Sequence, residues 1–145
     1  MDFGLCMVTT RDVNDVMYGF TEAEKHGFTF VGLWDSPYNF MEIYPYFGIA
    51  AMNTKTVQMG PFVTNPLTRH PSVTAAAMAT IDNLSGGRAV LGLGRGDSAV
   101  KMLGWHPASW KDYEQSIHDI RNWMRGNPVD LEDAPGPVTL SWADR

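Results

Sequence analysis

TNPLTRHPSVTAAAMATIDNLSGGRAVLGLGRGD, residues 64–97, decides the reading of the fold. Its opening is polar and punctuated by Pro66 and Pro71. Ser72 to Leu84 reads as a helix, with Val73, Ala76, Ala77, Ile81 and Leu84 predicted on its apolar face. Gly86 and Gly87 end that helix. RAVLGLG then reads as a strand, and its glycines run into Asp97. The preceding stretch TVQMGPFV, residues 56–63, is another apolar strand. Strand, loop, helix, tight break and strand make one βαβ unit.

The same unit recurs toward the N-terminus. FGLCMV, residues 3–8, and FTFVGLWD, residues 28–35, read as strands. Between them Val13, Val16, Met17 and Phe20 recur at helical spacing. Asp12 is the expected cap of that helix, and Gly27 its left-handed exit. SPYNF reads as a loop and YPYFGIAAM as a short helix. Beyond the glycine loop, SWKDYEQSIHDIRNWM is a long amphipathic helix. Ser109 is its expected cap, and Trp110, Tyr113, Ile117, Ile120 and Met124 its expected apolar stripe. The tail from Gly126 is rich in Pro and Asp and has room for a small hairpin but no further helix.

The alternation predicts an α/β fold: parallel strands in sequence, with helices packed outside the sheet. A doubly wound sheet and a (β/α)8 barrel both satisfy it. A whole barrel takes about 250 residues, and this chain has 145. Four units therefore make half a barrel, read as one domain over residues 1–145. The formal net charge of −5, with no basic run, points away from nucleic acid. Cys6 is the one cysteine, so no intrachain disulfide forms, which is compatible with a cytoplasmic setting. Asp2 stands where a secretory leader carries positive charge, and no run reaches the ~18 apolar residues of a membrane span.

The chemistry-bearing residues gather at strand ends. Gly92, Gly94 and Gly96 follow a strand, but the third position of G-x-G-x-x-G is Asp97, where a phosphate would meet a like charge. The loop is then either a tight strand-to-helix turn or a place where backbone N–H groups approach a ligand. Asp35 and Asp97 each follow a parallel strand, on the edge that carries the site in such sheets. Either they cap the helices that follow, or they share acid and base work. Trp34, beside Asp35, is placed to wall a planar ligand. His70 precedes Pro71 and is expected to make a structural hydrogen bond, while Arg69 is a candidate for holding an anion or an acid. His26, His70, His106 and His118 share no metal-ligand spacing, so no metal site is expected.

GPFVTNPLTRHP, ATIDNLSGGRAVLGLGRGDSA and the following LGW resemble the luciferase-like monooxygenase superfamily. Within it the chain is most similar to the branch that uses the deazaflavin coenzyme F420 and includes methylenetetrahydromethanopterin reductase. The resemblance runs to about Trp142 and implies the N-terminal half of a (β/α)8 barrel, stopping before the fifth strand. It implies an oxidoreductase of small organic molecules, with F420, or alternatively FMN, as cofactor, and a cytoplasmic homo-oligomer. It places Asp35 beside the ring and a non-prolyl cis peptide, Phe62–Val63, under one ring face. Asn65, Gly94, Arg95 and Gly96 match cofactor-contacting positions, and Asp97 the acid near the reacting carbon. Relatives that oxidise alcohols or sugar phosphates carry His after the strand-two acid. Here that residue is Ser36, which shifts the reading toward reduction of an imine-like or activated carbon–carbon bond. The competing readings are an FMN-dependent monooxygenase of the same fold and a half-barrel binding module without turnover.

Overall fold

The computed structural model describes residues 1–143. Three parallel strands lie in the order of the sequence: β1 (Gly4–Met7), β2 (Phe30–Leu33) and β3 (Gln58–Pro61). Gly4 pairs with Phe30, and Phe30 with Gln58, so the strands are in step and their C-terminal ends align. Helix α1 (Val13–Lys25) connects β1 to β2, and α2 (Tyr44–Asn53) connects β2 to β3. After β3 come α3 (Pro71–Ser85), the single turn α4 (Ser98–Lys101) and the long α5 (Trp110–Met124).

Caps fix the helix boundaries. The Asp12 carboxylate accepts from the Asn14 N–H at 2.9 Å, and the Ser109 hydroxyl from the Asp112 N–H at 3.1 Å. His70 caps α3, its Nδ1 accepting from the Ser72 N–H, so its role there is structural. Gly86 ends α3 at φ 70°, a conformation that favours glycine.

The main core lies between the outer face of the sheet and the helices. Val31, Leu33 and Met59 meet Val16, Phe20, Phe47, Met78 and Ile81 there. A second cluster of Ala75, Ile120, Trp123 and Val129 ties α5 and the tail to α3. The predicted face of α3 is rotated, while that of α5 keeps Ile120 and Met124 and takes in Ser116 and Trp123 in place of Trp110. On α3 the buried side chains are Thr74, Ala75, Met78, Ala79, Ile81 and Ser85, whereas Val73 and Leu84 are exposed. The helix packs on both α2 and α5, so small residues flanking Met78 and Ile81 serve better than branched ones. On α5, Trp123 is fully buried and donates to the Val138 carbonyl at 2.9 Å, while Trp110 lies outside. The tail forms the expected small hairpin, Val129 and Val138 exchanging bonds of 3.0 and 2.9 Å.

The predicted fourth strand is present as an extended segment but not as a continuous strand. Residues 88–94 run along β3, with bridges at Met59–Ala89 and Thr64–Leu93. The bonds run Met59 N to Arg88 O, Val90 N to Met59 O, Gly92 N to Pro61 O and Thr64 N to Gly92 O, at 2.8–3.1 Å. The missing rung falls at Pro61, which has no N–H to offer the Val90 carbonyl. Past Pro61 the donor is Thr64, three residues on, so Phe62 and Val63 bulge out of the ladder.

Candidate active site at the strand ends

The ladder just described brings the ends of β2, β3 and the 88–94 segment together. Thr64 is the junction. Its N–H donates to Gly92 O at 3.0 Å, and its carbonyl accepts from Gly94 N at 2.8 Å. Its hydroxyl donates to Asp35 Oδ2 at 2.5 Å. Thr64 is only 1% exposed, so one buried residue fixes Asp35 to the glycine loop.

A cavity of about 200 Å³ opens at this junction, lined by Asp35, Val63, Thr64, Asn65 and residues 94–99. A second, of about 380 Å³, adjoins it, walled by Trp34, Phe40 and Phe62, with Ser36 and Asn39 at its polar side. The two share Asp35, Val63 and Ser98. Together they offer one polar, backbone-rich compartment and one aromatic compartment, in the size range of a small-molecule site.

Each candidate residue has a definite place. The Phe62–Val63 peptide is cis, and both side chains are exposed toward the cavities. Asp35 caps no helix: SPYNF turns on Ser36, whose carbonyl accepts from Asn39 and Phe40 N–H groups. Burial pushes the Asp35 carboxyl above the usual carboxylate range, against the pull of the Thr64 hydroxyl; Glu42 adds to the rise and Arg69 opposes it. Asn65 is buried, and its side chain is committed to its own loop, Oδ1 accepting from Leu67 N at 3.0 Å and Thr68 N at 2.9 Å.

The glycine loop is held close by sterics. A Cβ on Gly92 would lie 2.7 Å from the Pro61 carbonyl, and one on Gly94 3.1 Å from the Val63 side chain. Gly96 takes φ 100°. Arg95 directs its guanidinium away from a free role: Nε donates to Ala108 O at 2.6 Å, and the group stacks 4.3 Å from the Trp110 ring centroid. It therefore anchors the segment leading to α5, while the loop backbone faces the cavity. Asp97 occupies the N-cap position of α4 without a side-chain cap bond. Its carboxylate is 78% exposed and pairs with Lys101. Both acids thus escape the capping role.

Four contributors were not singled out from sequence: Thr64, Asn39, Phe40 and Ser98. Thr64 and Ser98 each sit beside a residue that was, Ser98 next to Asp97 and Thr64 one position from the bulge. Phe40 packs edge-on against Trp34 at 6.2 Å between centroids, a contact that only the turn at Ser36 creates. Among the described residues no group of three or more His, Cys, Asp or Glu is placed to hold a metal ion. Nor is any helix among them long and apolar enough to cross a membrane.

The chain is similar over most of its length to archaeal reductases. It is 34% identical over 137 residues to 5,10-methylenetetrahydromethanopterin reductase of Methanolobus tindarius, covering 91% of this chain and 41% of that protein. It is 41% identical over 132 residues to the enzyme of the same name from Archaeoglobus fulgidus, covering 89% and 39%. Among solved structures, the coenzyme F420 dependent tetrahydromethanopterin reductase from Methanopyrus kandleri superposes with a TM-score of 0.78 at 26% identity, over 97% of this chain and 45% of that one. The chain thus spans about two fifths of the length of these curated relatives. Residues 1–134 match the luciferase-like monooxygenase family, and the chain belongs to that family.

Proposed function

We propose that this chain supplies the cofactor-side half of a coenzyme F420-dependent oxidoreductase that moves hydride between the deazaflavin and a small organic substrate. One observation carries the reading. The ends of β2, β3 and the 88–94 segment bring Asp35, the cis Phe62–Val63 bulge and the glycine loop around two joined cavities. Relatives named as F420-dependent or methylenetetrahydromethanopterin reductases support it.

The residues present fit a flat ring with a polar edge. Trp34, Phe40 and Phe62 give apolar walls, and residues 94–96 line the smaller cavity, with Gly94 packed too closely on Val63 to take a side chain without a shift. Val63 and Phe62 would support the ring face. Asp35 would meet its polar edge, and Asn65, whose side chain is already held by Leu67 and Thr68, would join Gly94, Arg95 and Gly96 in offering backbone contacts. Bound F420 supplies a two-electron hydride couple. The chain's own part is to orient ring and substrate, exclude water and hold protons at Asp35 and Asp97. The residue after Asp35 is Ser36, its hydroxyl accepting from Asn39 Nδ2 at 2.9 Å, so the position offers no imidazole base. That supports a reductive direction, on an imine-like or activated carbon–carbon bond, and the relatives are named as reductases.

The reading takes residues 1–145 as one domain, the first four β/α units of a barrel, in the cytoplasm. Among the described residues β1 and the 88–94 segment pair on one side only, edges that favour association with a further copy or half. The test is a fluorescence titration of the purified chain with oxidised and reduced F420, and separately with FMN. Saturable binding of the deazaflavin at lower concentration than FMN is expected. Selective FMN binding would move the reading to a flavin monooxygenase, and binding of neither would leave a module without a cofactor site of its own.

A further inference from the structure

At the start of α2 stands a group of side chains that lines neither of the two cavities and that no part of the proposed reaction uses. The Tyr44 ring at the start of α2 carries the Arg69 guanidinium 4.5 Å from its centroid. Arg69 Nη2 is paired with Glu42 Oε2 at 2.8 Å. The Tyr44 hydroxyl is buried with no hydrogen-bond partner among the described residues, as is the hydroxyl of Thr74 on α3. Tyr44 is nevertheless close enough to feel Asp35, Arg69, and the Thr64 and Thr74 hydroxyls, and its phenol is pushed up to about 12, by burial first and by the Asp35 charge second. A stacked cation, its carboxylate partner and a neutral phenol thus lie near one half-buried acid, which accepts a hydrogen bond from the Thr64 hydroxyl.

We propose that Thr64 and the Arg69–Glu42 pair, seated on the Tyr44 ring, are positioning residues that set whether Asp35 faces the cofactor site as a carboxylate or as a carboxylic acid. This rests on the reading of Asp35 as a ring-side residue. The geometry gives each member a sign. The Thr64 hydroxyl donates to the carboxylate and favours the ionised form. Arg69 favours it through charge, and Glu42 opposes it. Arg69 and Glu42 are bonded to each other and act on Asp35 with opposite sign. Breaking the pair from either end tips Asp35 in opposite directions. Tyr44 acts through its ring, as the platform that holds Arg69. Of the other charged groups lining the cavity, Asp97 is paired with Lys101, and Arg95 is tied to Ala108 and Trp110.

The experiment is a carboxyl-carbon NMR titration of the whole chain labelled at aspartate, with the Asp35 signal assigned by its loss in Asp35→Asn. Glu42→Gln is expected to move the Asp35 midpoint to lower pH, and Arg69→Met to higher pH. Thr64→Val is expected to raise it, and Thr64→Ser to restore it. Tyr44→Leu is expected to follow Arg69→Met, while Tyr44→Phe leaves the midpoint in place. Glu42 and Arg69 are partly exposed, so their variants carry the test even if Thr64→Val or Tyr44→Leu fails to fold. Midpoints that stay fixed, or that move in the same direction for Glu42→Gln and Arg69→Met, overturn the proposal. The titration reads Asp35 without cofactor. Loss of the F420 reading through absent binding is thereby distinct from loss of the relay.

Discussion

Gly60 faces the Val90 carbonyl oxygen so closely that a β-carbon on Gly60 would occupy the same space. The contact lies beside the rung that Pro61 cannot supply, so the Val90 carbonyl turns in toward Gly60 instead of accepting a ladder bond. Backbone cannot step aside as a side chain can. Gly60→Ala is therefore expected to destabilise the chain by about 1–3 kcal/mol through overpacking. Gly48 makes the contrast: it lies inside α2, and nothing stands within 4 Å of its would-be Cβ. Gly48→Ala should stabilise by about 0.5–1 kcal/mol through helix propensity alone. Urea midpoints of the two variants, moving in opposite directions, check both statements.

Arg88 holds the start of the 88–94 segment to the end of α2. Its guanidinium donates to the carbonyls of Ser85, Ala51, Thr54 and Val57 and to the Thr54 hydroxyl, at 2.7–3.0 Å. Arg88→Ala would strip several half-buried or buried acceptors at once, costing about 3 kcal/mol or more in total. Lysine has no planar fork to span these carbonyls. Arg88→Lys should recover less than half of the loss, as read from thermal unfolding monitored at 222 nm in the far-ultraviolet. Full recovery by lysine would show that charge alone holds the junction.

Glu24 gives the acid limb of stability a specific source. Partial burial raises its carboxyl, but donors from Thr56, Val57 and Lys55 N–H groups and the Thr56 hydroxyl outweigh that and lower it from 4.5 to about 2. The folded value is the depressed one, so the ionised carboxylate stabilises above the unfolded value. That contribution is present above pH about 4.5 and is lost as pH falls toward about 2. Glu24→Gln should lower stability at neutral pH and flatten the pH dependence within that window. Chemical denaturation at a series of pH values reads it, and parallel acid limbs in both proteins would count against Glu24 as the source.

How far the sequence could carry the fold is clear from α5 and the 88–94 segment. Ser109 was legible as a cap because capping depends on chemistry local to one turn. Trp110 was misplaced on the buried stripe because a helix end obeys its loop, and here Arg95 draws Trp110 outward. Trp123 was missed for the complementary reason: its partner, the Val138 carbonyl, arrives from a tail hairpin with little periodicity of its own. RAVLGLG had the composition of a strand, but its pairing depended on Pro61, a defect in the neighbouring chain segment. At the site, Asp35 and the glycine loop were visible as residue types at strand ends. Thr64 was not, because a threonine within an ordinary loop acquires its role only when two backbone bonds and one side-chain bond converge on it.

Asp97 carries the last prediction. Its carboxylate lines the smaller cavity, leaves the N-terminus of α4 uncapped and pairs with Lys101 one turn on. An exposed acid with a partner on its own helical turn adds little to folding. Asp97→Asn should therefore leave thermal stability within about 0.5 kcal/mol of the parent. It keeps the shape of the cavity wall, so F420 affinity should change by no more than a few fold. If Asp97 handles a proton near the reacting carbon, turnover in the full barrel should fall by about 100-fold or more. Stopped-flow spectroscopy of the deazaflavin absorbance separates binding from reaction. Unchanged turnover with unchanged affinity would assign Asp97 to the surface of the loop and leave Asp35 as the acid of the site.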